Sequence, residues 1–221
     1  TAFAGEELVR CLGMLGYDAQ LSLETGGSSI AVGLGLGWDG LPRVEDARRD
    51  DAILIEVAGM AGVITGTNAR SVLIAVYRFA HELGIWFVHP GADGTLVRSN
   101  GRTDVSVCER ASYRHRGFCI EGAVSFENVL DFVDWLPKNG FNTYFTQFLI
   151  PYEFFKTWYA HANNPMLFGM DEAPGPEEVE RFTYETLARE LAKRGIVFQA
   201  AGHGWTTNAI GITGLGWDVT E

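Results

Sequence analysis

The sequence predicts a mixed α/β chain in two parts, and three observations carry that expectation. Two short β-rich runs precede a stretch, from about Asn68 to Leu83, whose apolar residues recur at helical spacing. After Tyr113 the pattern becomes strand, helix, strand, helix, strand. A polar linker from Gly91 to Asp104, carrying few apolar residues, separates the two parts. Residues 1–105 are therefore expected to form a small α+β domain, and 111–221 a set of βα units with parallel strands. A closed (β/α)8 TIM barrel takes ~250 residues, and the stretch from Tyr113 to Glu221 is less than half of that. It has room for about three of the eight βα units, the start of an incomplete barrel. A different doubly wound sheet of few strands also fits the length.

The elements follow in order. Residues 1–50 are rich in glycine and show no clear period, so no element is assigned there. Ala52-Ile53-Leu54-Ile55-Glu56-Val57 and Gly62-Val63-Ile64-Thr65-Gly66 read as two strands joined by a tight turn. In the following helix Val72, Leu73, Val76, Tyr77, Ala80 and Leu83 form one stripe, and Gly84 is its stop. Ile85-Trp86-Phe87-Val88 is a buried strand ending at the turn His89-Pro90-Gly91. In the second part, Ser125 is an N-cap for a helix from Phe126 to Lys138 that places Phe126, Val129, Leu130, Val133 and Leu136 on one side. A strand from Thr143 to Ile150 is closed by Pro151. Tyr152 to Gly175 is too long for an ordinary connection of ~2–6 residues, and such loops are usually functional. Pro176 opens a helix with Glu177, Glu178 and Glu180 near its start and Lys193 and Arg194 at its end, both matching the helix dipole. A third strand, Ile196 to Ala201, leads into Gly202-His203-Gly204-Trp205.

The most informative segment for function is Tyr113 to Gly122. Read as a strand, it puts Arg116, Phe118 and Ile120 on one face and Gly117, Cys119 and Glu121 on the other, with a charge at each end. A planar guanidinium suits hydroxyl-rich or carboxylate ligands, which points to a sugar or acid pocket; an ion pair at a strand end is the equally weighted alternative. In the long loop, His161 and Asn163 lie close to Trp158 and Tyr159, the usual make-up of a carbohydrate subsite, though aromatics packing within the loop would leave the same pattern. Trp205 follows the third strand, and βα barrels gather their sites at the downstream strand ends.

Composition narrows the classes. A net charge of −11 disfavours nucleic acid, which is held through clustered Lys and Arg. No run approaches the ~20 apolar residues needed to cross a bilayer, and the first residues do not resemble a secretion signal, so no membrane partner is expected. Cys11, Cys108 and Cys119 stand at no metal-ligand spacing and mildly favour a reducing, cytoplasmic setting over secretion. His81, His89, His115, His161 and His203 form no i,i+4 pair, so neither a metal nor a cofactor is expected. Gly35-Leu36-Gly37-Trp38-Asp39-Gly40 matches a dinucleotide fingerprint by letter only, because it does not open a helix after a strand. There is no G-x-S-x-G for a serine hydrolase.

His115-Arg116-Gly117-Phe118-Cys119-Ile120-Glu121, followed by a helix and Asn139-Gly140-Phe141-Asn142-Thr143-Tyr144, resembles the opening of the catalytic barrel in family-twenty glycoside hydrolases, the β-N-acetylhexosaminidases. Lys193-Arg194-Gly195-Ile196-Val197-Phe198 leading to Gly202-His203 is similar to that family's third strand. The segment from Val63 to Leu73 resembles the small α+β domain ahead of such barrels. The likeness runs over about residues 50 to 205. It implies that Arg116 binds sugar hydroxyls and His203 supports the active site; with Glu121, Trp205, His161 and Asn163 they make up the expected carbohydrate-binding set. Two departures stand out: Gln199-Ala200-Ala201 replaces the family's third-strand acid, and Gln147 and Tyr152 occupy a turn that is typically His-rich and Asp-containing. The family's catalytic Asp-Glu pair follows the fourth strand, so it is expected outside this chain, which would then be inactive alone. Asp171-Glu172 falls at the wrong place in that order and is read as a solvated loop pair. The expectation is a glycoside hydrolase-like protein acting on O-glycosyl bonds. A non-catalytic carbohydrate-binding or scaffold module with a degenerate barrel is the alternative.

Overall fold

The computed structural model describes residues 1–24, 29–119, 125–148, 174–203 and 211. The chain divides into two compact units. One comprises Thr1–Arg116 with Asp134–Asn142, the other Gly117–Val133 with Thr143–Glu221. The fold is mixed α/β, with its described strands in several separate sheets.

The first unit is built on strands β1 (Ile30–Leu34), β2 (Ala52–Ala58), β3 (Ala61–Gly66) and, later in the chain, β6 (Val105–Arg110). They form one sheet in the order β1-β3-β2-β6, with β2 antiparallel to both its neighbours and β1 parallel to β3. Helix α1 (Ala2–Met14) packs on helix α2 (Ala69–Glu82), which lies against β2 and β3. The expected stripe of α2 is the centre of the core: Val72, Leu73, Val76, Tyr77 and Ala80 are buried together with Ile53, Ile55, Ile64 and Leu8. Asn68 caps the helix, its carboxamide oxygen accepting from the Ser71 backbone N–H at 2.9 Å. Gly84 stops it. With φ at 97° and a Cβ that would lie 1.9 Å from the Arg98 carbonyl oxygen, no other residue fits there without displacing the backbone.

Two regions depart from the sequence expectation. Residues 1–50 do contain regular elements, α1 and β1, which the pattern did not reveal because part of their structure depends on distant partners: Glu7 in the helix is buried against Tyr77, and β1 is half-exposed throughout. The linker from Gly91 to Asp104 also contains a strand. Strand β4 (Ile85–Phe87) pairs antiparallel with β5 (Thr95–Val97), and β6 follows and joins β2, so the first unit reaches past residue 105.

The second unit carries three parallel strands, β7 (Gly117–Cys119), β8 (Thr143–Phe148) and β9 (Val197–His203), in that spatial order. Helix α3 (Phe126–Lys138) connects the first two, with the Ser125 hydroxyl accepting from the Asn128 N–H as its cap. Ahead of β9 come α4 (Pro176–Arg181), a π-helical segment (Phe182–Leu187) and α5 (Ala188–Arg194). They follow one another without a break over the helix that the sequence indicates, and at the π-helical middle the Thr183 hydroxyl donates to the Val179 carbonyl at 2.8 Å, engaging an acceptor that an α-helix gives to its own backbone. The expected strand over 113–121 is also shorter, since Arg116 precedes β7.

Phe118 stacks on Phe132 of α3 at 5.3 Å, and in the parallel register Phe118 is level with Tyr144, and Tyr144 with Phe198. Tyr144 is buried. Phe126 at the start of α3 stacks on Phe182 at 4.1 Å, which brings the two helical connections side by side. Thr143 and Phe145 of β8, level with Val197 and Gln199 of β9, alternate onto the opposite face.

Candidate functional site

The residues of greatest interest lie at the two ends of the parallel strands. At the upstream end Arg116, directly before β7, is held on all sides. Its Nε donates to the Gly140 carbonyl at 2.7 Å, one terminal nitrogen to the Tyr113 carbonyl at 2.8 Å, and the other to the Asp51 carboxylate at 2.6 Å. The strand-end ion pair is thus the arrangement Arg116 adopts.

Asp51 is the hub of this arrangement. Its buried carboxylate receives the Arg70 guanidinium at 2.9 Å, the Ser71 hydroxyl at 2.7 Å, and the side-chain amides of Asn68 and Asn142 at 3.2 and 3.0 Å. Burial alone would raise its pKa. The hydrogen bonds and charge of Arg70, with Arg116 and Ser71, outweigh that and hold it below the ordinary carboxylate range. Asn142, directly before β8, ties in the backbone as well: its carboxamide oxygen accepts from the Arg116 N–H at 2.8 Å, and its own N–H donates to the Arg116 carbonyl at 3.0 Å. Next to it Asp50 takes the Arg114 guanidinium at 2.6 Å and, with a second bond from the Asp46 N–H, titrates at about 2. The side-chain donors of Arg70, Arg116, Ser71, Asn68 and Asn142 converge on Asp51, so the cluster is a clasp.

The downstream end is where a parallel sheet binds ligands. His203 is the last residue of β9, beside Phe148 at the end of β8. The register shifts between Thr146 and Phe148, a β-bulge of the kind that re-aims strand ends next to sites. Gln199, an exposed amide, lies one register step from the Thr146–Ala200 pair. Glu121, His161, Asn163 and Trp205 lie outside the described residues. Of the expected set, Arg116, at the end of the first unit's first segment, and the backbone of His203, the last residue of β9 in the second unit, are therefore the ones described.

The sequence did not single out Asp51, Asn142 or Arg70. A usable signal existed: an acid immediately before an apolar strand, and an arginine in the first turn of the next helix.

A second buried polar group lies in the first unit. Glu7 accepts from the Tyr77 hydroxyl at 2.7 Å and from Arg10 at 2.6 Å, while Lys138 pairs with Asp134 and sits 5.0 Å from the Phe87 ring centroid. Burial, then the charge of Glu7, pushes the Tyr77 phenol far up, and burial pushes the Cys11 thiol to about 11. Neither is poised as a nucleophile near neutrality.

Among the described residues no group of three His, Cys, Asp or Glu side chains is arranged to hold a metal ion, and no helix is long and apolar enough to cross a membrane. Comparison with protein-family models and with curated proteins returns no match to this chain.

Proposed function

We propose that the second unit is the opening of a glycoside hydrolase-like βα barrel that takes carbohydrate at the downstream ends of β7, β8 and β9. The observation that carries this reading is the Phe126–Phe182 stack. Sequential strand order β7-β8-β9, with both helical connections packed side by side, fits the winding of a barrel; one half of a doubly wound sheet has the same local order, and the resemblance to the glycosidase barrel favours the former. In this reading His203 closes β9 at the mouth, and Glu121 and Trp205 follow their strands by two residues in the chain. An indole supplies a flat apolar surface for a sugar ring, and imidazole and carboxylate groups accept or donate to its hydroxyls. His161 and Asn163 add a subsite from the long loop. Arg116, whose guanidinium is engaged by Asp51, Gly140 and Tyr113 within the first unit, leaves hydroxyl recognition to the residues that follow the strands.

The hydrolytic step would protonate the glycosidic oxygen with a carboxylic acid and stabilise an oxocarbenium-like transition state from the other face. Gln199 favours a second reading. It is an amide on the strand where the resembled family carries an acid, and an amide can hold a sugar but cannot protonate a leaving group. That observation supports a carbohydrate-binding module with no turnover.

One experiment addresses both. The chain is titrated with a panel of monosaccharides and chitin and cellulose oligomers by calorimetry, and hydrolysis of a matching set of nitrophenyl glycosides is measured on the full-length natural protein. Binding that weakens at least ~10-fold, about 1.4 kcal/mol, in His203→Ala and Trp205→Ala supports the carbohydrate site, and hydrolysis separates enzyme from module. Failure of every sugar to bind, or binding indifferent to both substitutions, overturns it.

A further inference from the structure

The β4–β5 hairpin is small. Its paired residues are Ile85–Val97, Trp86–Leu96 and Phe87–Thr95, with Val88 N–H donating to the Gly94 carbonyl and Arg98 N–H to the Gly84 carbonyl. Two strands of this length are marginal on their own, so the hairpin depends on what it packs against. Its packing on α2 is aromatic, while the Phe87 carbonyl also accepts from Trp135 Nε1 at 2.9 Å and from the Asn139 side-chain amide at 3.1 Å. The His81 imidazole of α2 lies flat on Trp86, centroids 5.6 Å apart and planes 13° from parallel, and leans on Phe87 at 5.7 Å. Phe87 meets Tyr77 edge-on at 5.6 Å. Within this stack His81 Nε2 is buried and has no hydrogen-bond partner. We propose that His81 is a proton-operated latch, which seats the β4–β5 hairpin on α2 while its ring is neutral and releases it in mild acid.

A neutral imidazole can leave one nitrogen as a bare lone pair, at modest cost in an apolar contact. Protonation would put an N–H donor and a positive charge at that nitrogen with no acceptor for either. The surrounding charges give little relief. On its own helix His81 faces Arg78 and Glu82, and Glu82 is already engaged by both Arg78 and Arg102. The Tyr77 hydroxyl is committed to Glu7, Lys138 brings another cation to the Phe87 ring, and β4 and β5 contribute no titratable side chain. Burial, then the charge of Arg78, places the ring's pKa below the ordinary 6.5. The unfolded or released state therefore binds the proton first. The latch holds fully above 6.5 and weakens as the pH falls from there through the lower folded value. Release would uncover Ile85 and Phe87, both buried in the seated form, beside Trp86, which is already 52 % exposed.

The test is an NMR pH titration of the whole chain from 7.5 to 4.5. It follows the His81 Cε1–H and the backbone amides of Trp86, Phe87 and Leu96 in the wild type and in His81→Phe, which keeps a ring but cannot be protonated. In the wild type the ring and the hairpin amides should move together, with one midpoint below 6.5 and at least a tenfold loss of amide protection, corrected for the intrinsic exchange rate, at the acid end. In His81→Phe the hairpin amides should stay in place. The proposal is overturned by an equal hairpin transition in His81→Phe, by hairpin amides that ignore pH in the wild type, or by a His81 ring titrating apart from them. Should His81→Phe not fold, coincidence or separation of the two wild-type midpoints decides the matter.

Discussion

Asp51 shows how much a single side chain can organise. Its carboxylate is the shared acceptor of two arginines, two asparagines and a serine drawn from segments far apart in the chain. Removing one partner of a buried charge network leaves the others uncompensated, which costs more than the pair itself is worth. Asp51→Asn is therefore expected to destabilise the protein by about 3–5 kcal/mol in urea unfolding. Its titration has a definite sign. Because the folded pKa lies below the unfolded one, the contribution is complete above the ordinary 3.8 and is lost as the pH falls through the folded value. Acid unfolding midpoints should show this, with Asp51→Asn losing the steep part of the curve below pH 3.8. Arg116 was legible as a residue with a purpose, since a charge beside an apolar strand needs a partner. Which partner it takes was not legible, because Asp51 lies outside any local pattern shared with it.

At the scale of the element, the most readable features were those whose cause is local. The periodic stripe of α2 and its Gly84 stop were read from residues within a turn or two of one another; the Asn68 cap, which was not read, is local as well. Asn68→Ala should cost about 1 kcal/mol through loss of the cap alone. The measured fall in thermal midpoint should exceed that of an exposed control, because the Asn68 amide also donates to the Ala47 and Asp50 carbonyls. Gly84→Ala should cost more than about 1 kcal/mol, since φ is positive and the Arg98 carbonyl occupies the space; a neutral result in denaturant titration would contradict the described turn. Strand β5 was hidden for the opposite reason. Thr95-Leu96-Val97 is three residues long and becomes a strand by pairing with β4. The π-helical segment was hidden too, since helical patterning looks the same on either side of a single side-chain hydrogen bond from Thr183.

At the scale of the molecule, each unit has its own logic. The first surrounds α2 with a four-stranded sheet and α1, and the second winds helices and parallel strands in sequential order. In the second, parallel strands point their carboxyl ends, and whatever follows them, toward one side. The prediction proper to this scale is a division of labour between strand ends. Arg116→Ala should lower the unfolding midpoint, since it strips one cation from Asp51, whereas under the proposed carbohydrate reading His203→Ala and Trp205→Ala should weaken sugar binding. Calorimetric titration paired with thermal denaturation of the same variants checks it; a stable Arg116→Ala protein with sugar affinity reduced by ~10-fold would reverse the assignment.

By itself the sequence determined the alternation of strands and helices, since hydrophobic periodicity, caps and stops act over a few residues. It also set the chemistry on offer: an acidic chain with cysteines at no metal-ligand spacing and aromatic and polar residues after two of its parallel strands. Only the tertiary structure decided which sheet β6 joins, that residues 1–50 supply a helix and a strand, and that Arg116 spends its charge on Asp51. Those outcomes depend on contacts between residues tens of positions apart, where strand pairing and burial of a shared charge outweigh any local preference.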